Sequence, residues 1–218
     1  MLKVMFPLAM AFLVLAPAQS VLAKDDMGQG RLFVGSAKAN PTELKTELAA
    51  QGLKDLDAVY QYGIEITFPT LEHLNLGLRY SRHYFSQSEI TATPNADYKA
   101  ELAQDTMVGV ARVPFYKTDV VHMDVFAGVG ASNTTYTEKV VGQDGKLAKS
   151  FAPYYTAGAS LALGYKQYFI FFEGGYEGNK VDSFDRSGTI NSNINTMDMS
   201  GSYFLVGVMF DGIPIFKK

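Results

Sequence analysis

The 218-residue chain has no cysteine and no tryptophan. Without thiols there is neither a disulfide framework nor a thiolate zinc site in any compartment. Its three histidines, His73, His83 and His122, include no two at metal-ligand spacing, so no metal residue is assigned. Beyond residue 23 no run of 18 apolar residues occurs, which excludes a spanning helix there. Charge of one sign is also missing: 19 basic residues face 22 acidic ones, a formal net of −3, so there is no electrostatic footprint for nucleic acid.

What is present begins with residues 1–23, which read as a secretory signal peptide. Lys3 supplies the basic start, Val4 to Leu15 an apolar run, and Val21 and Ala23 the apolar or small residues before a cut after Ala23. The run is shorter than the about 20 residues a spanning helix needs and Pro17 breaks it. Residues 24–218 then form the second unit, with strands over about 30–210 and a short tail at 211–218. If such a chain enters a membrane, it does so with strands.

From Ala58 to Phe68 every second residue is apolar (Ala58, Tyr60, Tyr62, Ile64, Ile66, Phe68), with Gln61, Gly63, Glu65 and Thr67 between. Strand side chains alternate faces, so this is a strand with one apolar face. The pattern recurs, placing strands near 30–38, 57–68, 74–86, 100–113, 121–133, 152–165, 168–178 and 197–210. The opposite faces carry glycines and the charges Glu65, Arg79, Asp124 and Glu173. A soluble sandwich hides its apolar face inside, whereas a membrane barrel turns it to lipid and keeps the polar set within.

Connections at 69–73, 114–120 and 166–167 are short, while 39–56, 87–99, 134–151 and 179–196 are long and polar. Short turns on one side and long loops on the other require an even strand number, here eight, with both ends on the periplasmic side. Asn40-Pro41-Thr42-Glu43 opens a helix in the first long loop and Gly52 can close it, with Leu44, Leu48 and Leu53 as its apolar stripe. That helix is expected to pack on the rim; the alternatives are a lid over the mouth or a partner-binding helix. Gly142-Gln143-Asp144-Gly145, a turn after the threonine-rich arm of Thr134, Thr135 and Thr137, predicts a hairpin projecting past the membrane.

With this signal peptide, eight alternating strands and glycine-rich segments such as Phe126-Ala127-Gly128-Val129-Gly130 and Phe172-Glu173-Gly174-Gly175-Tyr176, the chain resembles the small bacterial outer-membrane β-barrels. That group contains the OmpA transmembrane domain, OmpX/Ail, OmpW and the generic outer-membrane β-barrel domain. The resemblance implies an all-β fold, an eight-stranded antiparallel up-and-down transmembrane β-barrel with a short helix in the first outer loop. It also implies a Gram-negative outer-membrane location, with outer-membrane lipids, lipopolysaccharide and the assembly machinery as partners. Such barrels commonly end on an aromatic residue; here Phe210 has the right phase, but residues 211–218 follow, including Phe216.

Arg31, Glu65, Arg79, Asp124 and Glu173 fall at similar depths facing inward. An eight-stranded barrel is filled by its own side chains, and unpaired charges there carry a heavy desolvation cost. These five are therefore expected to form a lumen charge network that holds the barrel shut; a gate whose pairs exchange partners is the alternative. No catalytic or cofactor-binding residue is assigned: none of the three histidines stands in the His-x-Ser pair that barrel lipid deacylases carry. The expected role is structural or surface interaction, in envelope integrity or adhesion, without enzymatic activity; the alternative is a narrow porin-like channel for a small solute. A surface partner is possible, nucleic acid is not.

Overall fold

The computed structural model describes residues 28–50, 56, 58–71, 73–90, 97–140, 143–189 and 193–213. The signal peptide, Gly52, Leu53, Gly142 and Phe216 lie outside these residues. Chain order is β1 (Gly28–Lys38), α1 (Thr42–Ala50), β2 (Ala58–Leu71), β3 (Leu74–Ile90), β4 (Asp97–Lys117), β5 (Val121–Val140), β6 (Gln143–Tyr165), β7 (Tyr168–Gly178), β8 (Lys180–Asp182), β9 (Asp185–Gly188), β10 (Thr196–Asp198) and β11 (Gly201–Ile213). Each of β1 to β6 pairs antiparallel with the next, β7 pairs with β11 and β11 with β1, which closes an eight-stranded ring. Closure matters because an open sheet edge in lipid would leave backbone groups unsatisfied.

The alternation places apolar residues on the outer surface. Leu32, Val34, Tyr62, Ile64, Ile66, Val125, Val129, Leu163, Ile170, Phe172, Phe204 and Val208 are all exposed, and Glu65, Arg79, Ser81, His83 and Asp124 on the other phase are buried. Tyr165 and Tyr168 mark one margin of the apolar band, Tyr155, Tyr176 and Tyr60 the other, as aromatic girdles do. At the turn before β5 the Thr118 hydroxyl accepts from the amides of Val120 and Val121, which stops β4 and starts β5.

The wall is uneven. Strands β3 to β6 run 17 to 23 residues, but β1, β2, β7 and β11 only 11 to 14. The second and third long loops are thus largely strand, and the expected hairpin of β5 and β6 pairs out to Val140 and Gln143. The fourth connection, expected as plain loop, carries β8, β9 and β10; β9 adds to the outer end of β6, and β10 pairs with β8. Together with α1 these fill the step above the low wall. Glu43 on α1 accepts from the amides of Asn195 (2.5 Å) and Thr196 (2.9 Å), and Glu47 accepts from that of Asn193. Helix α1 is anchored where Lys45 donates to the Pro41 carbonyl, and Leu44 and Leu48 are fully buried. Leu56, Leu102, Tyr136, Leu147, Val181, Ile194, Met197 and Met199 belong to the same buried apolar cluster. The outer mouth therefore carries a small hydrophobic cap.

Candidate functional site

The site follows from pairing register. Arg31, Glu65 and Arg79 are lateral neighbours on β1, β2 and β3, and Asp124, Ser160 and Glu173 are lateral neighbours on β5, β6 and β7. Alternation turns both rows inward, so they face each other across the lumen. All five residues of the expected network lie there, and a sixth stands between the rows: Arg112 on β4, fully buried.

Arg112 touches every carboxylate of the layer. Its Nε lies 2.5 Å from Glu65 Oε1, its Nη1 2.5 Å from Asp124 Oδ1 and its Nη2 2.6 Å from Glu173 Oε2. Arg79 donates from Nε to Glu65 Oε2 at 2.7 Å, and its Nη2 lies 2.7 Å from Glu173 Oε1. Arg31 donates from Nη2 to Asp124 Oδ2 at 2.7 Å and from Nη1 to the Ser160 hydroxyl at 3.0 Å. Three guanidinium groups thus meet three carboxylates with no net charge. Phe126 lies under Arg79 and Arg112 at 5.0 and 4.4 Å, and Phe171 under Arg31 at 5.2 Å. These rings give the cations a second, water-free partner.

Sequence reading missed Arg112 because β4 inverts the usual composition. Its inward phase holds Val108 and Val110 and its outward phase Gly109 and Ala111, so hydrophobicity points the wrong way. Two signals were available. Gln104, Thr106 and Arg112 share one phase, and three carboxylates matched with only two arginines leave one without a counter-ion.

Above the ionic layer, toward the outer mouth, the contents become neutral or singly charged. Tyr203 donates to Glu173, and Ser81 and Thr106 share a 2.6 Å hydrogen bond. His83 Nε2 lies 3.1 Å from Glu177, which also accepts from the Tyr154 hydroxyl. Asn179 accepts from Gln104 and donates to Ser132 and to the Pro153 carbonyl. Below the ionic layer a vestibule of about 710 Å³ opens at the periplasmic mouth, lined among others by Gln29, Arg31, Asn75, His122, Lys117 and Asp211. His122 is thus at this end and His83 well above it, and neither has a serine or threonine hydroxyl among its hydrogen-bond partners in the described residues.

The ring of eight antiparallel strands with an apolar exterior and an ionic interior defines the class: the chain has the fold of the small bacterial outer-membrane β-barrels. No family model matches the chain, and no curated protein matches it. Among solved structures it is similar to Ail, the attachment invasion locus protein of Yersinia pestis, in its complex with the heparin analogue sucrose octasulfate: TM-score 0.50 and 10% identity over 84% of this chain and 98% of that one. It is also similar to the Neisserial surface protein A, with TM-score 0.47 and 13% identity over 84% of this chain and 96% of that one. The N-terminal β-barrel domain of Pseudomonas aeruginosa OprF gives 0.42 and 12%, over 85% and 97%. At such identities the likeness concerns the fold alone.

Proposed function

We propose that the protein is a closed barrel of the Gram-negative outer membrane that acts through its outer face, in envelope integrity or surface contact, and that it neither conducts nor catalyses. The observation that carries this reading is the net-neutral layer of three arginines and three carboxylates bridging the lumen. Solute passage would require breaking several buried ion pairs at once, each costing kilocalories to leave unpaired. The polar layer and the apolar cap stand above it in series. The outer face does not suit a polyanion of the kind held by the Yersinia pestis protein. Lys99 lies 2.5 Å from Glu101 and Lys139 3.6 Å from Asp144, so acids are interleaved with the lysines. A neutral or zwitterionic surface partner fits this mixture better.

The test is conductance in planar bilayers together with solute swelling of vesicles containing pure refolded protein. A silent wild-type protein supports the closed reading. A steady wild-type conductance, whose selectivity alone shifts toward cations in Arg79→Ala, would replace it with the narrow channel.

A further inference from the structure

Phe151 sits where no barrel requirement explains its side chain. Register shifts between Ser132 and Asn133: Ser132 pairs with Ala152 and Asn133 with Ser150, which leaves Phe151 as an unpaired bulge in β6. Below the bulge the odd-numbered residues of β6 face outward; above it the even-numbered ones do, and this reversal brings Leu147 into the cap. The bulge is therefore structural, but its residue is not. Phe151 has φ of 62°, a left-handed conformation that glycine takes freely and that costs a bulky residue about 1–3 kcal/mol. Its ring is 49% exposed and has no aromatic or cationic partner among the described residues. Strain and exposure are both unfavourable, and nothing inside the barrel offsets either.

The outward row of β6 indicates what covers the ring. Tyr165, Leu163, Leu161, Ala159, Ala157 and Tyr155 run up the lipid face. Ten residues at about 3.3 Å each, tilted by about 40°, rise about 25 Å, the height of the apolar band. Phe151 follows Tyr155 and Pro153, just beyond that band, and its outward neighbours Asn133 and Ser150 are exposed amide and hydroxyl groups. An aromatic face beside hydrogen-bonding side chains suits a sugar ring, whose C–H face is apolar and whose edge carries hydroxyls. We propose that Phe151, Asn133 and Ser150 form a docking point for the sugar headgroup of an outer-leaflet glycolipid. This rests on the outer-membrane reading above.

The lack of tryptophan makes the test clean, because Phe151→Trp introduces the only indole. The variant is reconstituted in vesicles of phosphatidylcholine alone and of phosphatidylcholine with lipopolysaccharide. The expected result is a blue-shifted emission and loss of acrylamide quenching with lipopolysaccharide only, both reversed when Asn133→Ala and Ser150→Ala are added. Equal exposure in the two vesicles overturns the proposal, as does equal shielding in both, and so does shielding that appears only when a protein partner is supplied. Soluble core oligosaccharide, added to the phosphatidylcholine vesicles, separates the sources: protection by it shows that the sugar suffices, and protection by intact glycolipid alone shows that its anchor is needed. Val208→Trp reports the membrane reading independently. If that indole is exposed in both vesicles, the membrane placement fails; if it is shielded while Phe151→Trp stays exposed, only the docking point fails. Finally, Phe151→Gly should leave detergent stability unchanged or raised while losing the thermal stabilisation that lipopolysaccharide confers. A fall in detergent stability would make the ring structural and overturn the proposal.

Discussion

The ionic layer and the outer cap close the same tube with opposite chemistry. In the ionic layer six charged side chains hold one another through directional bonds of 2.5 to 2.7 Å. In the cap, Leu44, Leu48, Leu56, Ile194 and Met197 simply exclude water. The difference follows from the wall. At the depth of the ionic layer every strand is present and its outward face must be apolar, so the polar residues have nowhere to go but in. Above the girdle the low wall has ended, both faces of a loop meet water or protein, and an ordinary hydrophobic core forms. Directional pairs make the ionic layer intolerant of losing one member, whereas the cap can lose a methyl group and settle.

The largest expected effect is therefore at Arg112. Arg112→Met leaves Glu65, Asp124 and Glu173 short of a counter-ion, and removing one partner from a buried ion network costs about 3–5 kcal/mol. Urea unfolding in detergent, followed by the shift between heat-modified and unmodified gel mobility, measures this. Arg31→Met should cost less, since Asp124 keeps Arg112. Equal losses at the two positions would show that Arg112 is not the hub. Deleting α1 should leave conductance at the wild-type level, because the ionic layer below still closes the lumen; a pore in that variant would make the cap the seal.

Next come the lipid-facing positions. Ile64→Arg or Val208→Arg, near the middle of the band, should cost about 2–4 kcal/mol in a bilayer. The outward but extramembrane Asn133→Arg should stay within about 0.5 kcal/mol. An inward position such as Ser81, buried and bonded to Thr106, should not share that tolerance. Equal costs at Val208 and Asn133 would contradict the membrane placement.

How far the sequence carried this picture depends on where apolar residues had only one place to go. On β2, β3, β5, β6 and β11 the lipid face is the apolar face, and period-2 alternation gave strand, phase and the inward residues Glu65, Arg79 and Asp124 together. Strand β7 is ambiguous because Phe169 and Phe171 face in while Ile170 and Phe172 face lipid, so the run is apolar throughout. Strand β4 hides Arg112 by the inverted composition already described. The cap was harder still. Leu44 and Leu48 announce a helical stripe, but its partners Val181, Ile194, Met197 and Met199 are single apolar residues scattered in a polar segment, with no period to read. Their burial is a product of tertiary packing between distant loops.

In the cap, Leu48→Ala should cost about 2–3 kcal/mol of cap stability, toward the low end for a buried leucine because the loops can close on the cavity. Limited proteolysis of α1 and of residues 180–198, with the barrel left intact, is the measurement. Barrel unfolding in step with cap cleavage would show that the two regions are one cooperative unit.

The smallest effect concerns Glu43, the clasp between α1 and the β10 segment. The backbone amides of Thr196 and Asn195 hold its carboxylate below the ordinary range, with the Thr196 hydroxyl adding to them. A carboxyl whose folded value is depressed binds fewer protons folded than unfolded. Its contribution is therefore complete above the ordinary carboxylate range of about 4.3 and declines as pH falls through and below it. The clasp is at the surface, so the effect is on the order of 1 kcal/mol or less, the scale of a charge-assisted cap. Hydrogen exchange at the Asn195 and Thr196 amides should accelerate in acid relative to the intrinsic rate, and in Glu43→Gln that relative rate should be raised at neutral pH and lose its dependence on pH. The ionic layer should not respond in that variant, since Glu43 touches only the cap. If Glu43→Gln also loosened the pairs around Arg112, the two closures would be coupled rather than stacked in series.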